Sequence, residues 1–342
     1  MKSGEERKDQ LPVISKTMTH NPIHHNVDVY QLVTNRIIEL LEKGVIPWQQ
    51  PWTDGGHPRN LISGRNYRGI NVWLLNSLHF QRNIFLTFNQ AKDLGATIKK
   101  GEKSTPVVFW KWLEKTNPEN METERIPILR YYNVFNISQC EGIPKDKIPE
   151  LPERKIDPIE ACEQIIEGMP QRPEIRHNEQ RAYYNRAEDF INLPKPETFK
   201  TQEGYYATQF HELIHSTGHT NRLNRRELNE SRGMTTNDYA IEELTAEMGA
   251  SYLKSYAGIP IEQLDNNASY IRYWLERLKK DKKYIVHASA QAQKASDFIL
   301  NFNIEKELDH SKAQPNNERA EREGELKSIR RLSEKILFNL EK

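Results

Sequence analysis

Two histidines four residues apart, in His211-Glu212-Leu213-Ile214-His215, constrain this chain more than any other feature. Side chains four apart on a helix lie one above the other, so the two imidazoles converge on one point only if the segment is helical. The neighbouring residues favour that conformation. Tyr205, Tyr206, Ala207, Phe210, Leu213 and Ile214 supply an apolar side for a buried helix, and Gly218 supplies a stop. Two such imidazoles form part of a divalent-cation site, with Zn2+ as the expected ion. Glu212 then stands beside the ion as the candidate catalytic residue, the general base that takes a proton from an attacking water.

A catalytic zinc of this type needs a third protein ligand and one open position. His219 is close in sequence, but a continuous helix from 211 to 219 rises about 12 Å, too far for three histidines to share one ion at about 2.1 Å each. His219 qualifies only if Gly218 breaks the helix. A metzincin arrangement would need a further histidine where Asn221 stands. Downstream, Thr236 or Asn237 can cap a helix carrying Glu242, Glu243 and Glu247, with Glu243 and Glu247 on one face. Glu243 is the favoured third ligand, which gives the two-His, one-Glu set of thermolysin-type enzymes; His219, Glu242 and Glu247 are the alternatives. With Glu243 and Glu247 four apart on one face, one carboxylate suits the ion and the other a role in steering a ligand histidine.

At 342 residues the chain is long enough for two domains, each with its own core. The net charge of +1 conceals a gradient. Residues 1–148 hold 20 basic and 15 acidic side chains, and within 59–115 the ratio sharpens to ten against three. A local excess of this kind is what a polyanion-binding face requires. Cys140 and Cys162 have neither metal-ligand nor disulfide-framework spacing, and the N-terminus lacks an apolar signal core, so a soluble cytoplasmic protein without membrane contact is expected.

Periodicity divides the chain into a polar, disordered segment at 1–25, a small α+β domain at 26–140, a linker at 141–156, a second domain at 157–302 and a charged tail at 303–342 with a terminal helix. In the first domain a helix is expected from Asp28 to Gly44, short helices at 71–80 and, after a Thr87 cap, at 88–94, and strands at 106–112 and 130–137. In the second, a helix at 157–168 precedes strand-like pieces near 174–177, 181–184 and 189–193, then the metal helix, the Glu243 helix and helices near 270–278 and 285–300. This predicts an α+β chain whose second domain is mainly helical with a small antiparallel sheet. Extended chain just ahead of the metal helix is what a peptidase needs to hold substrate as an added strand.

The first domain has no catalytic constellation. It offers cations interleaved with aromatics: Arg65, Tyr67, Arg68, Lys99, Lys100, Lys103, Trp110 and Lys111 are the candidate DNA-binding residues. Cations neutralise phosphates while rings stack on unpaired bases, so single-stranded DNA is the expected partner.

Several motifs in order also carry a resemblance. Pro47-Trp-Gln-Gln-Pro-Trp52, Tyr67-Arg-Gly-Ile-Asn71, Leu86-Thr-Phe-Asn-Gln-Ala-Lys92, Lys100-Gly-Glu-Lys103 and Tyr132-Asn-Val-Phe-Asn136 resemble the single-stranded-DNA-binding domain of ArdC-type antirestriction proteins, also found at the start of some plasmid primases. Asp189-Phe-Ile-Asn-Leu-Pro194, the run from His211 to His219, Arg222-Leu-Asn224 and Tyr239-Ala-Ile-Glu-Glu-Leu-Thr-Ala-Glu247 resemble the zincin-like metallopeptidase domain of the same proteins. The resemblance spans roughly residues 26–300. It implies a protein of a conjugative plasmid, integrative element or phage that binds incoming single-stranded DNA and shields it from restriction. Two functions are compatible with it. One is a zinc peptidase tethered to DNA, acting on a peptide or protein substrate that the sequence does not identify. The other is a non-enzymatic DNA-protecting protein whose zinc is structural or vestigial.

Overall fold

The computed structural model describes residues 28–49, 56–116, 123–150, 157–230, 237–259 and 268–302. The expectations for segments 1–25 and 303–342 lie outside these residues. Helix α1 (Val29–Glu42) starts where Asp28 accepts a hydrogen bond from the Gln31 N–H at 3.2 Å, and it buries Val29, Val33, Ile37, Leu40 and Leu41. Gly44 follows at φ +77°, a left-handed conformation that favours glycine and turns the chain away. A single 3-10 turn, Pro47–Gln49, then buries Trp48.

The first domain continues with β1 (Arg59–Asn60), α2 (Ile70–Asn76), β2 (Ile84–Thr87), α3 (Phe88–Asp93), β3 (Thr97–Ile98), β4 (Thr105–Thr116), β5 (Thr123–Asn136) and β6 (Cys140–Glu141). Thr87 caps α3 as expected, in a reciprocal box with Gln90. The main sheet runs β1-β2-β5-β4, and β4 and β5 pair antiparallel from Thr105↔Val134 to Thr116↔Thr123. That ribbon is longer than the two strands expected from sequence. The helix expected at 71–80 stops at Asn76. The segment read as a linker from 141 begins docked, because Glu141 pairs with Thr97 while Ile143 and Ile148 pack on a cluster around Ile84, Leu86 and Ile137.

The second domain begins with α4 (Pro158–Glu167), capped by Asp157. Strands β7 (Glu174–Arg176), β8 (Tyr183–Asn185) and β9 (Phe190–Asn192) form a sheet of order β7-β9-β8. Strand β9 pairs antiparallel with β8 and parallel with β7, so the sheet is mixed rather than purely antiparallel. Helices α5 (Gln202–Thr217), α6 (Arg226–Asn229), α7 (Asn237–Ala257), α8 (Ala268–Lys280) and α9 (Tyr284–Ile299) complete it. The architecture is thus α+β with a mainly helical second domain. Among the described residues, no helix is long and apolar enough to cross a membrane.

Helices α5 and α7 cross closely because Gly249 leaves room for Ile214; a Cβ at 249 would stand 2.6 Å from Ile214 Cδ1. Phe210, Leu213 and Ile214 pack there with Ala246, Ala250 and Leu253. The largest apolar cluster belongs to both domains rather than to one. Leu41, Trp48 and Trp73 from the first pack with Leu244, Met248, Tyr252, Trp274 and Ile285 from the second. Each fully buried large apolar side chain contributes roughly 1.5–3 kcal/mol, so this common core holds the domains in one arrangement. Polar contacts line the same boundary. The Tyr252 hydroxyl donates to Gly69 O at 2.7 Å, and the Gly69 N–H donates to Gln293 Oε1 at 3.1 Å.

Candidate metal centre

Helix α5 is capped by Thr201, whose hydroxyl accepts the Gly204 N–H at 3.0 Å, and it places His211 and His215 one turn apart. Their Nε2 atoms are 3.1 Å from each other. Glu243, on the facing turn of α7, brings Oε2 to 3.7 Å from His211 Nε2 and Oε1 to 3.6 Å from His215 Nε2. Ligand atoms held at about 2.1 Å in a tetrahedron stand about 3.4 Å apart, so these separations fit one shared divalent ion. His211, His215 and Glu243 are the one group of metal-ligating type among the described residues whose donor atoms all lie within 4.8 Å. The Tyr239 side chain, one turn earlier on α7, hydrogen-bonds Glu243.

The site is oriented from behind by a buried ion pair. His215 Nδ1 lies 3.0 Å from Glu242 Oε1, and Arg225 reaches both Glu242 oxygens, Nε to Oε2 at 2.8 Å and Nη2 to Oε1 at 2.5 Å. The carboxylate can only accept, so Nδ1 carries a hydrogen and Nε2 is the nitrogen that faces the ligand triangle, open to a proton or to a metal ion that displaces it. Burial pushes the Glu242 carboxyl up, but Arg225 outweighs it and holds the group ionised, at about 2. Burial likewise works against charge on His215, yet Glu242, Glu243 and Glu212 lift its pKa to about 9. Three carboxylates thus give the site a negative field that favours a cation. Arg225 also donates to Ile214 O at 2.8 Å and Thr217 Oγ1 at 2.5 Å, which closes the end of α5. Gly218 is required there for space: a Cβ would come within 2.9 Å of Arg225 Nη2.

The remaining candidates fall in different places. Glu212 is buried beside the triangle, within electrostatic reach of His215 and Tyr239. Glu242 turns to Arg225 and His215 and lies outside the triangle, so the carboxylate that steers a ligand histidine is Glu242 and not Glu247, which shares a face with Glu243. Glu247 is held by Trp48 and Tyr270, with the Trp48 Nε1 donating to its Oε2 at 3.0 Å. His219 follows the helix stop, but its Nδ1 accepts from the Asn221 N–H at 3.3 Å and faces Asp189 at 3.9 Å. Sequence reasoning passed over Arg225; the run of arginines at 222, 225 and 226 just after the metal helix was the available signal.

The candidate DNA-binding residues are not brought together as one surface. Lys99, Lys100 and Lys103 are exposed in the turn before β4, with Lys99 Nζ on Ser138 O at 2.8 Å, and Arg65 sits half-buried in the turn after β1. Tyr67 is buried, edge-on to Phe85. Arg68 is ion-paired with Asp297 of α9, at the domain boundary. Trp110 and Lys111 point to opposite faces of β4, Trp110 against the common core beside Tyr30 and Lys111 outward.

Comparison with known proteins matches both halves. The N-terminal domain of anti-restriction factor ArdC matches residues 27–135, and a zincin-like metallopeptidase domain matches residues 160–291. The metal-free crystal structure of the antirestriction protein ArdC from plasmid R388 is 36% identical, with a TM-score of 0.65 over 80% of this chain and 97% of that one. The chain belongs to the ArdC family of antirestriction proteins. The Mn(II)-bound structure of the R388 ArdC protein is similar to the same degree, at 37% identity and a TM-score of 0.65. The ArdC-type chain is also 33% identical over 296 residues to a DNA primase TraC of Escherichia coli, and it spans 27% of that primase's length. The protein y4eC of Sinorhizobium fredii is 31% identical, with 91% of its length covered.

Proposed function

We propose that this ArdC-family protein is an antirestriction factor of a mobile genetic element that binds single-stranded DNA through its first domain and hydrolyses peptide bonds at a zinc site in its second. The observation that carries the peptidase reading is the triangle of His211, His215 and Glu243 with Glu212 beside it on the same helix. A nitrogen-rich, three-ligand set leaves a position open, and zinc suits it; the Mn(II)-bound relative supports a divalent site and zinc is our assignment. A divalent ion held there supplies Lewis-acid activation of a water and of the substrate carbonyl. Glu212 takes the proton of the attacking water and passes it to the leaving amine. Arg225 and Glu242 keep His215 in the tautomer that presents Nε2. Strand β8, at the edge of its sheet and packed against α5, offers backbone groups to an extended substrate. Two free, buried cysteines suit a reducing, cytoplasmic setting.

Glu212→Gln tests this reading. The variant should retain metal while losing all cleavage of a fluorescently labelled casein that the wild type degrades. Equal cleavage by both proteins, or none by the wild type, contradicts it.

A further inference from the structure

Strands β4 and β5 form a ribbon whose two faces differ in chemistry. Side chains alternate across a strand and directly paired residues share a face. The register Val107↔Tyr132, Phe109↔Arg130 and Lys111↔Ile128 therefore collects these six residues on one side. The other side carries Val108, Trp110 and Leu129 into the common core, with Glu114 and Arg125 ion-paired at 2.5 Å further out. The first face has no acidic residue at those six positions. Its two cations, Lys111 and Arg130, are exposed, and neither is in an ion pair among the described residues. Phe109 and Tyr132 lie beside them with ring centroids 5.7 Å apart, and Tyr132 is 38% exposed. At the base of the face Val107 and Val134 pack with Tyr67 and Phe85.

We infer that this face is where single-stranded DNA lies, with bases stacked on Tyr132 and Phe109 and phosphates held by Arg130 and Lys111. Cations with no ion pair among the described residues, beside the exposed Tyr132 ring and the half-buried Phe109 ring and at positions that carry no carboxylate, match the needs of a flexible polyanion with exposed bases. Tyr67 lies buried behind the surface, among Val107, Val134 and Phe85. The inference rests on the single-stranded-DNA reading above and specifies its surface.

Tyr131 provides an internal control, because it is 36% exposed on the same strand but belongs to the opposite face. Binding of a fluorescein-labelled oligothymidylate is measured by anisotropy with the full chain, each variant being checked for an unchanged melting temperature. Tyr132→Ala should weaken binding about 5- to 150-fold, the range for removal of one stacking ring. Tyr132→Phe should bind like the wild type, and so should Tyr131→Ala. The double variant Lys111→Gln, Arg130→Gln should flatten the slope of log affinity against log salt by about 1.4, or 0.7 for each phosphate no longer neutralised. Equal effects of Tyr131→Ala and Tyr132→Ala, or an unchanged salt slope in the double variant, overturn this surface while leaving DNA binding intact. If Tyr132→Ala instead alters the sedimentation coefficient and not DNA affinity, the face joins copies of the chain and the inference fails. Absence of wild-type binding removes both this surface and the reading on which it stands.

Discussion

The indole N–H of Trp48, in the turn after the first helix, donates to Glu247 Oε2 across 3.0 Å, one helical turn beyond Glu243 of the ligand triangle. The Tyr270 hydroxyl bonds the same carboxylate, and the Trp274 ring stands edge-on to Trp48 at 6.2 Å. A residue of the first domain thereby helps hold the helix that carries Glu243 of the candidate metal site. Trp48→Phe keeps a ring in the common core but leaves Glu247 with one donor fewer in a buried setting. Its cost should be about 1–3 kcal/mol. Thermal unfolding should show a lower midpoint with both domains still melting in one transition; loss of the first domain alone would separate the cores described here.

Glu242→Gln should lower metal affinity about 10- to 100-fold, because the amide cannot hold the His215 N–H and both Arg225 donors together as the carboxylate does. Competition with a chromophoric chelator measures this directly. The variant should also be several kcal/mol less stable, since Arg225 is left as an uncompensated buried charge.

Gly249→Ala brings a Cβ into Ile214, which cannot recede without disturbing α5. Overpacking of this kind costs about 1–3 kcal/mol, against which the better helix propensity of alanine returns at most about 1 kcal/mol. Adding Ile214→Val should recover part of the loss. Denaturant titration of the two single variants and the double variant yields the coupling, and strict additivity would mean that the helices do not touch at this point.

How much of this was legible in sequence follows the physics of each element. The His211 and His215 pair was readable because helical spacing alone brings the rings together. Glu243 was favoured as third ligand but spacing alone left Glu242 open, because adjacent helical residues differ by about 100° in direction and only the docked position of α7 selects one. The split between Trp110 and Lys111 was available in principle from strand alternation. Burial of Tyr67 and the pairing of Arg68 were not, since Asp297 lies 229 residues away. Strands β1 and β3, two residues each, are too short to leave a periodic signal.

Acid should weaken the fold through Glu227, which accepts from His287 Nε2 at 2.8 Å. Burial pushes this carboxyl up, but the hydrogen bond and charge of His287 outweigh it and hold the pKa below its usual 4.5. The unfolded chain therefore takes up a proton that the folded chain refuses, so stability present above about pH 4.5 is lost as the pH falls through the folded value. In Glu227→Gln the decline of the melting temperature over that range should be shallower than in the wild type.

Both cysteines are buried, and burial pushes the Cys162 thiol up to about 12. Iodoacetamide at pH 8 should leave Cys162 unmodified in the native protein and label it on unfolding, with intact mass as the readout. Rapid native labelling would contradict its place in the packing of α4.

Metal content decides whether His211, His215 and Glu243 together hold one divalent ion. It is read by elemental analysis of protein purified without chelator, beside its Glu243→Ala and His219→Ala variants. One equivalent of zinc is expected in the wild type and in His219→Ala, and little in Glu243→Ala. Full occupancy in Glu243→Ala with loss in His219→Ala would contradict it.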